Sequence, residues 1–344
     1  MLKKLYLHHF RNYEEKRLDF FSDKIILCGA NGIGKTNILE AIHYLSIMRS
    51  FKNAPVREIV QNSHDAFTLM AMLDIDGSER KIHIEQHKNG NRTCMVDGIV
   101  EKKASALLHN FRSVIFAPED RLVISGTAGV RRRFFDILIS LENSAYLHDL
   151  QQYKHSLSQR NALLKKGLKK SIDAIFLPFE ELMAFHGAKI MEQRALYADL
   201  VSEEVNKLAS GKNFRIRFNP DWKNNDIEYI KHSLKSNRER DCLRGFTSGG
   251  IQLDDFEITL NDLAMRSYAS SGQTRIYSLY MKMAEFNLSC AGGEKPVALV
   301  DDVTGELDSE NKDKFFAMLS NAEQTFFTFT APQNISSDQQ LIEL

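Results

Sequence analysis

The chain has 344 residues, 43% of them hydrophobic, enough for one large domain or two modest ones around a sizeable core. Its 45 basic residues balance 45 acidic ones, so bulk charge announces no nucleic-acid binder. No apolar run approaches the roughly 18 residues that span a bilayer, and MLKKLYLHHFRNY is charged too early for a secretory signal, which argues against a membrane protein and for the cytoplasm. Cys28, Cys94, Cys242 and Cys290 lie far apart with no CxxC pair, which reads as buried thiols rather than a zinc knuckle or disulfide framework.

In chain order, the first chemical signal is Lys24 to Leu27, a short apolar strand running straight into CGANGIGKTNILEAIHYL. Gly29, Gly34, Lys35 and Thr36 satisfy GxxxxGK[ST], and Ile38, Leu39, Ile42 and Leu45 follow at helical spacing. This order lets the backbone of Gly29, Ala30, Asn31, Gly32, Ile33 and Gly34 curl around phosphate oxygens, with Asn37 just inside the helix. Lys35 then supplies charge near the β/γ-phosphates of ATP, and the Thr36 hydroxyl coordinates Mg2+. Phe67 to Ile75, Lys81 to Gln86 and Arg92 to Val96 alternate, with Gly77 and Gly90 at turns, which predicts an antiparallel sheet beside this loop.

The middle of the chain has a helical pattern. One stripe runs Leu147, Leu150, Tyr153, Leu157, Leu164 and Leu168; another runs Leu182, Phe185, Ile190, Tyr197, Leu200, Val205 and Leu208, with Pro178 marking the turn region between them. Two helices of about 25 residues reach only some 40 Å, an arm rather than a long coiled coil. Three basic runs stand out: Arg131 to Arg133, then Lys165, Lys166, Lys169 and Lys170, then Arg238, Arg240 and Arg244. Each taken alone reads as a solvated face.

Further on, Ser270, Ser271, Gly272 and Gln273 precede a helix whose Ile276, Leu279, Tyr280, Met283 and Phe286 recur at three and four, placing the serines at its N-cap. Val297 to Val300 form an apolar strand ending in Asp301 and Asp302. In a parallel sheet both carboxylates emerge at the carboxyl edge, beside the phosphate loop. Asp301 suits the surroundings of magnesium, and Asp302 is placed to orient or deprotonate an attacking water.

On these motifs the chain resembles the RecF family, DNA-repair ATPases with an ABC/SMC-like head. The stretches that carry the likeness are LYLHHFRNYEE, FKNAPVREIV, FAPEDRLVISGTAGVRRRFFD, SQRNALLK, SSGQ and VDDVTGELD, spread over the whole length. Two positions depart from the family pattern: Ala128 stands where proline is usual, and Gly305 where a small serine or alanine is. The resemblance implies an α/β fold, an ABC-type P-loop ATPase head of a mixed sheet with a flanking antiparallel β layer. The head would be formed by residues 1–125 and 246–344, with a helical arm inserted at 126–245.

The resemblance also implies roles. Lys35, Asp301 and Asp302 would be catalytic, and Arg11 and Asn12 would lie where related heads contact nucleotide phosphates. Ser270 to Gln273, with Asp308, would complete the site of a second copy, so that ATP joins a homodimer. That dimer would close on double-stranded DNA near single-strand gaps and work with RecR and RecO to load RecA. Candidate DNA contacts are Lys165, Lys166, Lys169, Lys170, Arg112 and Arg131, although Arg131 to Arg133 also suit bracing of the head. Asp302 is one methylene shorter than the usual catalytic glutamate, which implies slow hydrolysis. Two other readings are an overcoming-lysogenization-type or other AAA-like defence ATPase, which usually brings an added acidic nuclease domain, and an ABC transporter ATPase. The latter would show a switch histidine where Thr328 and Thr330 stand.

Overall fold

The computed structural model describes residues 1–101, 110–166, 173–293, 295–303, 305, 307–331 and 338–344. The strands among them are β1 (Leu2–Phe10), β2 (Tyr13–Asp19), β3 (Lys24–Cys28), β4 (Ala66–Ile75), β5 (Ser78–His87), β6 (Arg92–Val96), β7 (Ile99–Val100), β8 (Ser113–Phe116), β9 (Phe214–Asn219), β10 (Asp255–Leu260), β11 (Leu263–Ala264), β12 (Val297–Asp301), β13 (Gln324–Phe329) and β14 (Gln339–Glu343). The chain divides into two compact units, Met1–Asp120 with Lys282–Leu344, and Arg121–Met281. The second divide lies after Met281, where the sequence set one near 245, because β9 to β11 and the first half of the helix Ser271–Ala291 belong to the second unit.

The first unit holds two sheets. The order β14-β3-β13-β12-β8 is parallel at every described pairing. The inner strand β12 reads as an unbroken apolar run up to Asp301 because both its faces are covered, and the edge strand β8 is likewise buried at every residue. The second sheet, β2-β1-β4-β5-β6-β7, is antiparallel throughout. In β4, Phe67, Leu69, Ala71 and Leu73 turn inward at period two. The hairpin to β5 turns at Asp76 and Gly77, both at positive φ, as a tight two-residue connection demands.

The helix Lys35–Ile47 touches strands of both sheets, and Ile38 to Ser46 are buried without a break. A helix enclosed on all sides needs no polar stripe, and each fully buried Leu or Ile here contributes about 1.5–3 kcal/mol. That burial fixes the direction in which the phosphate loop opens.

The second unit consists of helices, the longest being Ser144–Lys165 and Asp173–Leu208, with an antiparallel sheet β11-β10-β9 that the helical pattern did not announce. Pro178 is inside Asp173–Leu208 rather than in a turn. In the second turn it removes one i→i−4 bond without ending the helix. The two helices are also unequal, 22 and 36 residues, or about 33 and 54 Å. Of the apolar stripes, Leu150, Tyr153, Leu164, Ile190 and Val205 are buried, Leu147 and Leu157 are half-buried, Leu182 and Phe185 are exposed, and Leu168 lies outside the described residues. Two buried arginines share the apolar interior. Arg160 donates to Glu180, Asp241 and Thr247, and Arg194 to Asp136 and Asp254. Among the described residues no helix is long and apolar enough to cross a membrane.

Candidate nucleotide site

The site is built at the carboxyl edge of the parallel sheet, where β3 ends at Cys28 and the loop Gly29–Gly34 leads into the helix at Lys35. Gly34 has φ 119°, and a Cβ there would lie 2.5 Å from the Tyr13 hydroxyl and 2.8 Å from Asn12 Nδ2. Only glycine allows both the conformation and the approach. Asn12 shapes the loop from outside: its Nδ2 donates to the Ile33 carbonyl at 2.9 Å, and its Oδ1 accepts from Asn37 Nδ2 at 2.8 Å.

A cavity of about 350 Å³ opens above the loop, lined by Asn31, Gly32, Gly34 to Asn37, Lys52, Pro118, Asp301, Asp302 and Thr328 to Thr330. That is in the range that holds a small organic ligand. Lys35 Nζ folds back to donate to the carbonyls of Gly29 at 2.6 Å and Ala30 at 2.9 Å, so the loop presents a cation within reach of anything it cradles. Thr36 Oγ1 and Thr328 Oγ1 both donate to Asp301 Oδ1, at 3.0 and 2.9 Å. Burial pushes the Asp301 carboxyl up; the two hydroxyls and Lys52 pull it back. Asp302 follows at φ 52°, exposed at the cavity wall. A threonine hydroxyl and two carboxylates are hard oxygen donors, the set that suits Mg2+ bound mainly through waters and phosphates. The residues present thus fit a magnesium nucleotide.

Other expected residues lie elsewhere or do other work. Arg11, set at the phosphates by the family likeness, instead forms a bidentate pair with Glu40 and donates to the Glu58 carbonyl. Ser270 is the N-cap of Ser271–Ala291: its Oγ accepts from Gln273 N at 3.1 Å while Gln273 Oε1 accepts from Ser270 N at 2.9 Å, a reciprocal capping box. Ser271, Gly272 and Gln273 are exposed, in the second unit. Asp308 caps Ser309–Leu319, accepting from Asn311 N and Nδ2 at 2.8 and 2.9 Å, and these bonds hold its carboxyl below the usual range. Lys165 and Lys166 are exposed at a helix end, Arg112 is half-buried, and Lys169 and Lys170 lie outside the described residues. Arg131 is a correction. It is buried, bidentate to Asp255 at 2.7 and 2.9 Å and donating to the Gly126 carbonyl, and so braces its unit rather than facing a DNA backbone. Sequence reasoning missed Lys52, whose motif FKNAPVREIV it noted without assigning a role, and the contact of Thr328 with Asp301, which no local pattern encodes.

The chain matches the family described as RecF/RecN/SMC N terminal domain over residues 1–343. It is 35% identical to the DNA replication and repair protein RecF of Clostridium botulinum (strain Okra) over 343 residues, covering 97% of this chain and 93% of the relative. It is 34% identical to the protein of the same name from a Thermoanaerobacter species over 351 residues, covering 98% and 96%. A solved structure described as the recombination mediator protein RecF-ATP in the RecFOR pathway superposes with a TM-score of 0.89 at 31% identity, covering 97% of this chain and 93% of that one. Near-complete coverage in sequence and in fold leads to one conclusion: the chain belongs to the RecF family of DNA replication and repair proteins.

Proposed function

We propose that this chain is an ATP-dependent DNA-binding protein of recombinational repair and replication, a switch that dimerises on ATP around duplex DNA near single-strand gaps and helps load RecA through RecO and RecR. The carrying observation is the convergence of Lys35, Thr36, Asp301 and Asp302 on one cavity, from segments far apart in the chain. The similarity to a RecF structure solved with ATP supports the same ligand. When bound, magnesium neutralises phosphate charge. The chain's own residues do the rest. The Gly29–Gly34 backbone binds, Lys35 exchanges its two carbonyl partners for phosphate oxygens, Thr36 and Asp301 fix the cation side, and Asp302 orients water.

Dimerisation supplies the second half of the switch. Ser271 and Gly272 sit at an exposed helix N-terminus open to the γ-phosphate held by another copy. Pairing doubles local basic patches such as Lys165 with Lys166, which answers the neutral overall charge: phosphate binding needs placement rather than net charge. Sedimentation with ATP or a nonhydrolysable analogue, with and without gapped duplex, tests this for wild type, Lys35→Met and Ser271→Arg. The expected result is ATP-dependent dimers for the wild type alone, with Ser271→Arg still binding nucleotide. A wild type that hydrolyses ATP fully as a monomer sinks the proposal.

A further inference from the structure

We propose that Thr328 is a positioning residue for the divalent cation, an inference that rests on the nucleotide reading of the site. β12 and β13 run parallel in a register that sets Asp301 directly beside Thr328. The buried Thr328 hydroxyl donates to Asp301 Oδ1 at 2.9 Å, the same oxygen that accepts from Thr36 at 3.0 Å. The other oxygen within its reach, the Val300 carbonyl, is 3.5 Å away, at the limit of a hydrogen bond. Each hydroxyl has one proton to give, so Oδ1 carries two donors while Oδ2 accepts none from the described residues.

A carboxylate pinned at one oxygen by two donors cannot turn about its Cβ–Cγ bond without losing both. The phosphate-loop motif sets the Thr36 hydroxyl on magnesium through an oxygen lone pair, so that hydroxyl still donates its proton to Oδ1 but takes its position from the cation. Thr328 has no such tie. It sits on a sheet strand, flanked on both sides by hydrogen-bonded neighbours, and is thus a rigid support that holds Asp301 in the same pose before and after the cation arrives. Groups that orient a metal site from behind typically set 10–100-fold in metal affinity.

The test follows a fluorescent ATP analogue binding to the metal-free full chain as Mg2+ is titrated in, for wild type, Thr328→Val and Thr328→Ser. Valine keeps the strand-favouring branched shape and removes the hydroxyl; serine keeps the hydroxyl. The expected result is a Mg2+ midpoint raised about tenfold in Thr328→Val, restored in Thr328→Ser, with analogue affinity in EDTA unchanged in both. A Thr328→Val protein with native circular dichroism and the wild-type Mg2+ midpoint overturns the inference, and so does serine that fails to rescue. Should valine not fold, Thr328→Ala carries the same comparison. A wild type that binds no nucleotide under any condition defeats the nucleotide reading itself, a separate outcome from equal midpoints.

Discussion

Arg11 and Glu40 form a bidentate ion pair at 2.6 and 2.8 Å between the β1–β2 turn and the helix that carries the phosphate loop, with the glutamate wholly buried. Glu40 sits in a helix enclosed by two sheets, so its charge has no access to water and depends on this counter-charge, with the Ser50 hydroxyl as a further donor to Oε1. The FRNY opening is therefore a brace for the loop from behind: Arg11 grips the helix, Asn12 grips the loop, and Tyr13 closes on Gly34.

Removing the arginine leaves a buried carboxylate unpaired. Arg11→Ala is expected to lower unfolding free energy by about 3–5 kcal/mol in urea titration, and Arg11→Met with Glu40→Leu to recover most of it. The pairing seen here then governs stability first and nucleotide affinity second. An Arg11→Ala protein as stable as wild type, yet deaf to ATP, returns the residue to the phosphates.

Asp302 occupies a left-handed conformation that asparagine adopts readily and most longer side chains avoid. Asp302→Asn is accordingly expected to keep fold and ATP-dependent dimers while hydrolysis falls by roughly 10²–10⁴-fold, the usual contribution of a positioned base. Steady-state phosphate release beside sedimentation checks both halves. Unchanged hydrolysis removes Asp302 from the chemistry.

Legibility in the sequence followed the range of the interaction. The phosphate loop, β3 and the run Val297 to Asp301 are local: a strand, a turn and a helix in the right order identify themselves from neighbouring residues. The second unit is harder to read because buried arginines sit among its apolar core. Arg160 is fully buried, and its partners Glu180, Asp241 and Thr247 are 20, 81 and 87 residues away in sequence, so an apolar stripe that correctly takes Leu150, Tyr153, Leu164, Ile190 and Val205 inward cannot foresee it, and wrongly counts Leu182 and Phe185, which are exposed. The motif SQRNALLK was visible, but not that its arginine closes a buried network and that Asn161 accepts from both Thr247 N and its hydroxyl. The same holds for Arg131, which as one of three arginines in a row looked like a DNA contact.

That network makes its own prediction. Arg160→Ala leaves the buried Asp241 without its cation, while Glu180 keeps Arg238, an expected loss of about 3–5 kcal/mol by denaturant titration. Nucleotide affinity of the folded fraction should stay as in wild type, since Arg160 and the phosphate loop belong to different units. A change in ATP affinity without a change in stability would assign Arg160 a functional role instead.

Asp120 links stability to pH. Its carboxyl follows the strand β8, accepts from Ala117 N at 2.8 Å, and has the Lys282–Glu285 pair and Glu119 as its charged neighbours. Desolvation pushes it up to about 7, against the pull of Lys282 and the Ala117 hydrogen bond. An acid whose folded value lies above its unfolded one binds protons more tightly when folded, so its contribution is fully present below about pH 4 and lost as pH rises through about 7. Asp120→Asn keeps the shape and removes the titration. The expected outcome is that wild-type stability, measured by urea midpoint, declines more steeply between about pH 4 and 7 than that of the variant, and that the two curves run parallel above that window. Parallel curves across the whole range would mean that the Asp120 carboxyl holds its proton equally well folded and unfolded, with Lys282 and the Ala117 hydrogen bond offsetting burial.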